Sequence, residues 1–213
     1  MKKNILTLIA VTAILFSACK KDNNKPPVDE LSPYQPFTAN STWQYRSEYY
    51  LPGAAADVDT SVNTMTAVTK DFNGKTFHLV KSVSGGETDS VYFSVNNHIY
   101  TTRADDAAIP EINYLDDAKA AGDSWITPLV IDSVSAQVKT TIVEKNATKT
   151  IAGKTYNNVI RSKNEIQTKV GGVFKTNTII EIYAAKGIGV VAIYSSYDNK
   201  PLLKSELISY SIK

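Results

Sequence analysis

The chain has 213 residues, 43% of them hydrophobic, 21% charged and 9% aromatic, with a single cysteine and a formal charge of +2. Those proportions belong to a globular chain and exclude collagen-like, disordered and multi-disulfide classes. Lys2 and Lys3 supply the whole charge excess, because without them 21 basic residues face 21 acidic ones. No clustered positive surface is expected, and nucleic acid is therefore excluded as a partner.

Met1-Lys2-Lys3 leads into an apolar run from Ile5 to Phe16 and then into small residues, the order of a secretory signal. Crossing a bilayer takes about 20 apolar residues, so the run is too short to be a span. The cysteine stands in Phe16-Ser17-Ala18-Cys19. This stretch resembles the lipobox of bacterial lipoproteins, with Phe16 where Leu is usual, and the Cys-Lys-Lys-Asp start is similar to those of the Bacteroidota. The resemblance implies a signal peptide over 1–18, acylation of Cys19 with palmitate-type chains, and a lipid anchor in the outer membrane, facing either the periplasm or the cell surface. Residues 19–36 are polar, carry Pro26, Pro27, Pro33 and Pro36, and show no periodicity. They predict a flexible tether behind the lipidated Cys19.

From 37 to 213 the pattern has period two and predicts a single all-β domain. Trp43, Tyr45, Ser47, Tyr49 and Leu51 share one face, against Gln44, Arg46 and Glu48 on the other, as in a half-buried strand. The alternation returns over Val134, Ala136, Val138, Thr140 and Ile142, and over Ile208, Tyr210 and Ile212. Asn73-Gly74, Gly85-Gly86, Asn96-Asn97, Gly171-Gly172 and Asp198-Asn199 mark turns between runs. About ten strands are expected, in an antiparallel curved sheet, a sandwich or an open barrel. The segment 110–122, with proline first, acids early and Gly122 last, predicts one short connecting helix.

Two halves, 39–103 and 121–197, carry matching signals in the same order. Thr42-Trp43 matches Ser124-Trp125, Gly74-Lys75-Thr76-Phe77 matches Gly153-Lys154-Thr155-Tyr156, and Val91-Tyr92 matches Ile182-Tyr183. The run from Ile182 to Gly189, with Tyr183, Ala184, Gly187 and Gly189, resembles a Tyr-Ala-x-Gly-x-Gly segment of β-rich envelope lipoproteins. That resemblance implies an envelope protein and supplies no activity.

Candidate chemistry is sparse. A zinc site needs three or four ligands at set spacing, and only His78, expected on an exposed strand position, and His98, expected at a turn, join Cys19. No metal or other cofactor is expected. No Gly-x-Ser-x-Gly elbow is present, and Gly187-x-Gly189 lacks the following helix that a phosphate cradle needs. Asp57 to Ser61 opens like a calcium loop, but Val62 and Val68 replace its required Gly and Glu. Asp105, Asp106, Glu111, Asp116 and Asp117 are the carboxylates a hydrolase would draw on; clustered near the expected helix, they read as solvated acids, and no enzyme is expected.

Twelve tyrosines remain, rings suited to surfaces wet on one side. Tyr49, Tyr92, Tyr183 and Tyr194 are the ligand-binding candidates. The expected function is a non-catalytic binding or structural module of the envelope, its partner a glycan, a peptide or another envelope protein. The alternatives are a carrier of lipid or another apolar ligand in a half-barrel cavity, and third a carboxylate hydrolase. Asp89-Ser90-Val91 and Asp132-Ser133-Val134 resemble sites that Bacteroidota O-glycosylate on exported proteins. Peptides spanning Ser90 and Ser133, taken from native protein, are expected to carry added glycan mass in mass spectrometry; unmodified peptides at both positions would remove the assignment.

Overall fold

Strands whose hydrophobic face repeats every second residue hide it only by curling round it. The computed structural model describes residues 33–50, 53, 55–105, 111–131 and 134–213. The expected signal peptide, Cys19, most of the tether, Asp106, Pro110 and Ser133 lie outside them. The elements are β1 (Thr42–Tyr49), β2 (Asp57–Phe72), β3 (Lys75–Ser84), β4 (Glu87–Asn96), β5 (Ile99–Ala104), β6 (Ile112–Asp116), β7 (Ser124–Ile131), β8 (Val134–Ile151), β9 (Lys154–Val170), β10 (Val173–Ala185), β11 (Gly189–Tyr197) and β12 (Lys200–Ser211). All belong to one 12-stranded antiparallel sheet in the order β6-β5-β4-β3-β2-β1-β12-β11-β10-β9-β8-β7. Two meanders, β1 to β6 and β7 to β12, therefore meet where β1 pairs with β12, from Thr42 opposite Ser211 to Tyr49 opposite Leu203.

The hairpins explain the regularity. Asn73-Gly74, Gly85-Gly86, Asn97-His98, Ala152-Gly153, Gly171-Gly172 and Asp198-Asn199 each set two consecutive residues at positive φ, the backbone whose twist matches paired strands. The turn expected at Asn96-Asn97 sits one residue later, and the one at Ala152 was not signalled, since alanine seldom adopts positive φ.

The sheet is nearly closed, and its seam is made by side chains instead of a ladder. Edge strand β6 does not pair with edge strand β7. Ser162 Oγ on β9 donates to the Tyr114 carbonyl at 2.8 Å, and Thr140 Oγ1 on β8 lies 3.4 Å from the Asn113 carbonyl. Lys145 Nζ then donates to the carbonyls of Asp117 (2.6 Å) and Lys119 (3.1 Å). Backbone acceptors that an open edge would leave bare are satisfied in this way.

The expected helix over 110–122 does not form. Ile112–Asp116 is strand β6, pairing with the edge of β5, and a bulge at Tyr100/Thr101 lets the consecutive Tyr114 and Leu115 both be buried. Asp116, an acid of the expected helix, serves a turn instead, its Oδ1 accepting from Ala118 N at 3.0 Å, and Asp123 just beyond accepts at Oδ2 from Ala120 N at 2.9 Å. Gly122, read as the helix stop, donates its N–H to the Ile142 carbonyl at φ 95°. Side-chain bonds of Asp to nearby backbone favour turns as readily as helix starts.

The last residues of the expected tether also differ from expectation. Tyr34 and Gln35 are buried, Pro33 O accepts from Gly187 N at 2.9 Å, and Tyr34 N donates to Tyr100 Oη at 3.1 Å. Residues 33–36 thus belong to the packed body, beside Trp43 and the β10–β11 turn. That packing depends on Gly189, at φ 109°, where a Cβ would come within 3.3 Å of Trp43 Nε1 and 3.6 Å of Pro36. Gly189→Ala is expected to cost about 1–3 kcal/mol, a strained backbone adding to a close contact. Gly171→Ala, with open space around it, is expected to cost less, and chemical denaturation of the two variants side by side checks the order.

Candidate functional site

Four residues of β1 point the same way, as their alternation requires: Trp43, Tyr45, Ser47 and Tyr49 line a half-open cavity of about 430 Å³ within the curved sheet. A volume of this size suits a small organic ligand. One wall comes from β2 and β3 and is polar, with Ser61, Asn63 and Ser82, continued by Asp89 on β4. The wall beyond β1 and β12 is apolar, with Ile182 on β10, Val190 and Ile193 on β11, and Leu203 at the start of β12. Val80, Val91, Phe93, Thr102, Ser205 and the Tyr114 ring complete it, and Gln35 closes one side.

The pairing register explains how the polar wall arises. Asn63 lies opposite both Trp43 on β1 and Ser82 on β3, and Ser82 opposite Asp89 on β4. Partners in an antiparallel pair share a face, so the row Trp43, Asn63, Ser82 and Asp89 turns together toward the cavity. The inverse holds outside, where Val62 faces Val83 across the ladder and both are exposed.

Most of the buried polar groups of the lining are paired. Trp43 Nε1 donates to the Ile188 carbonyl at 2.5 Å, Tyr45 Oη to the Val190 carbonyl at 2.7 Å, and Ser47 Oγ to Ser205 Oγ at 2.9 Å. Two are not: the Tyr114 hydroxyl and the Asn63 side-chain oxygen are buried without a partner among the described residues. Tyr114 is 2% exposed, its ring edge-on to Phe93 at 6.2 Å. Burial, then the neighbouring phenols of Tyr100 and Tyr45, push its hydroxyl far above the ordinary tyrosine value. It stays protonated, a donor with nothing to donate to.

The sequence-derived candidates scatter. Tyr49 lies at the cavity margin, but Tyr92 packs outside the barrel against Phe72, Phe77 and Leu79. Tyr183 and Tyr194 are also outside, edge to face at 5.4 Å. Their surroundings are an ion-pair network in which Arg161 bonds Glu144 at 3.1 Å and Glu181 at 2.5 Å, and Tyr194 Oη donates to Glu206 at 2.7 Å. Ser90 is solvent-exposed on β4. The cavity residues Ser61, Asn63, Ser82 and Tyr114 were missed; the available signal was valines alternating with small polar residues on β2 and β3, with the polar set turned inward.

Of the carboxylates considered for hydrolysis, those among the described residues are engaged in structural contacts. Asp105 pairs with Lys70 at 2.8 Å, and Glu111 with Lys75 at 3.1 Å and Arg103 at 3.4 Å. Asp117 accepts from Tyr100 Oη at 2.9 Å and meets His98 Nδ1 at 2.6 Å. Among the described residues no three of His, Cys, Asp and Glu are grouped so as to hold a metal ion.

His78 is not on an exposed strand position as expected. It is half-buried, its ring 4.5 Å from Phe37, and burial lowers its pKa. The unfolded imidazole keeps a value of about 6.5, so between that value and the lowered folded one the unfolded chain binds more protons. Stability therefore falls as pH drops through this window and is insensitive to His78 above about pH 7. His78→Gln is expected to flatten the loss, measured by denaturant melts at about pH 5 and about pH 7.

No protein-family model and no curated protein sequence matches the chain. Two solved structures share its fold. A proposed exported protein with a YmcC-like fold from Bacteroides fragilis aligns over 85% of this chain and 100% of its own, with a TM-score of 0.53 and 10% identity. A proposed lipoprotein from Parabacteroides distasonis aligns over 84% of this chain and 99% of its own, again at 0.53 and 10%. At that identity the likeness is one of fold alone.

Proposed function

We propose that this chain is a lipid-anchored protein of the bacterial outer membrane that binds a small molecule inside its barrel without transforming it. The half-open cavity, with a buried hydroxyl unsatisfied in its wall, carries this reading. Buried polar groups are ordinarily paired, and an unpaired one in a cavity is where a ligand fits best. The lipobox-like segment ending at Cys19 supports the anchor, as does a fold shared with one chain described as exported and another as a lipoprotein. The structural use of Asp105, Glu111 and Asp117 supports binding over hydrolysis. Binding in the cavity is preferred to binding on the outer tyrosines, because Tyr183 and Tyr194 are tied into packing and ion pairs.

Two measurements test the reading. Cys19→Ser in the native host is expected to abolish fatty-acid labelling and release the protein from the membrane fraction; retention with unchanged labelling would end the anchor assignment. Trp43 lines the cavity, so its fluorescence is expected to respond to a bound ligand. Ser61→Tyr, which fills cavity space opposite Tyr45, is expected to abolish the response while the variant melts like the parent.

A further inference from the structure

The cavity has chemistry specific enough to select a ligand class. Its described lining contains no Lys, Arg or His, and its one ionisable carboxylic acid, Asp89, is exposed at the margin. An anion inside would lose its hydration with no cation to replace it and would enter past a negative charge. One wall offers hydroxyls and an amide, from Ser61, Ser82 and Asn63, while the other offers only hydrocarbon from residues such as Ile182 and Val190. The unpaired Tyr114 hydroxyl, almost wholly buried, needs an acceptor.

The polar wall is also costly to build. Setting Ser61, Asn63 and Ser82 inward turns Val62 and Val83 outward, where they are exposed. A strand pair serving only as core would have the opposite alternation. The inward serines and asparagine therefore answer something in the cavity.

We infer that the barrel takes an uncharged amphiphile, apolar along one side and carrying hydroxyl, ester or amide groups along the other, with one of its oxygens accepting a hydrogen bond from Tyr114. The inference rests on the reading of the cavity as the binding site. The apolar side lies on Ile182 and Val190, and the polar side on Ser61, Asn63 and Ser82. Asp89 at the margin turns away the anionic counterpart.

The test uses two fluorescent probes with one ring system, uncharged N-phenyl-1-naphthylamine and its anionic relative 1-anilinonaphthalene-8-sulfonate. Both are titrated into the full chain carrying Cys19→Ser, so that acyl chains and detergent do not compete. The uncharged probe is expected to bind at least roughly tenfold more tightly than the sulfonate, the sense that an unpaired buried charge dictates. Monolauroylglycerol is expected to displace it, and Tyr114→Phe to weaken that displacement several-fold relative to any change in the affinity for the probe. The same variant is expected to melt at the parent temperature or above it, since the lost hydroxyl had no partner; a merely structural tyrosine would lower it. Binding of neither probe would defeat the cavity reading itself. Equal affinity for both probes, or displacement indifferent to Tyr114→Phe, would overturn the ligand class and leave the cavity standing.

Discussion

The pairing of β1 with β12 is the contact on which the rest depends. It joins residues 42–49 to residues 203–211, almost the whole described chain apart, and it turns two separate meanders into one sheet. Every other ladder is a hairpin between strands adjacent in sequence, cheap to close and local. The β1–β12 ladder closes the longest loop of any ladder in the sheet, and so the costliest single one. It is secured accordingly: Trp43 and Tyr45 bond to the backbone of the next strand region, at Ile188 and Val190. Those two side chains hold the junction and line the cavity at once, so the fold and the site cannot be separated at this point.

The cavity exists because the sheet curls without being filled. Along the seam, residues from β5, β6, β8 and β9 pack tightly: Tyr100, Leu115, Ile142 and Ile160 are almost fully buried, and Thr140 Oγ1 donates to Asn164 Oδ1 at 2.9 Å. On β2 and β3 the inward positions include Ser61, Asn63 and Ser82, and space opens beside them. A second packed layer compensates on the outside. The long β8–β9 hairpin, bent by register shifts between Ile142 and Lys149, brings Tyr156 Oη to the Leu207 carbonyl at 3.4 Å and packs Val159 with Val191 and Ala192. Apolar burial on both faces near β11 and β12 supplies stability that the hollow interior gives up.

Much of this was legible in the sequence, for reasons that differ between elements. The inward set of β1 and the Ala136, Val138, Thr140 and Ile142 set of β8 followed from alternation, because long regular pairing keeps its face. On β12 the expected set Ile208, Tyr210 and Ile212 is half-buried, with Tyr210 and Ile212 against the core, and Ser205 and Leu207 are the fully buried positions that the alternation did not signal. A register shift opposite Gln44/Tyr45 changes face midway, and a bulge leaves no mark in hydrophobicity. The segment 110–122 was misread because helix signals and turn signals use the same residues, and the free edge of β5 decided between them. Matching Trp43 with Trp125, and Gly74 with Gly153, did place corresponding residues: both tryptophans are second in their strands β1 and β7, and both glycines close the next hairpin. The candidate site was least legible. Tyrosine count points to good strand formers, whereas the cavity is marked by small polar residues that composition hides.

The body begins earlier than composition suggests. Proline and polar content made 19–36 read as tether throughout, yet Tyr34 inserts among Tyr100, Tyr114, Leu115 and Ile160, its ring edge-on to Tyr100 at 6.3 Å. Two prolines flanking Tyr34-Gln35 restrict the unfolded chain, which lowers the entropy lost when this short segment docks. Gln35 from the same segment lines the cavity. Asp117 links the elements further, since its carboxylate accepts from the Tyr100 hydroxyl that in turn accepts from Tyr34 N. Residues 33–36 are therefore also part of the cavity wall, held by the ring next to the unpaired Tyr114 hydroxyl.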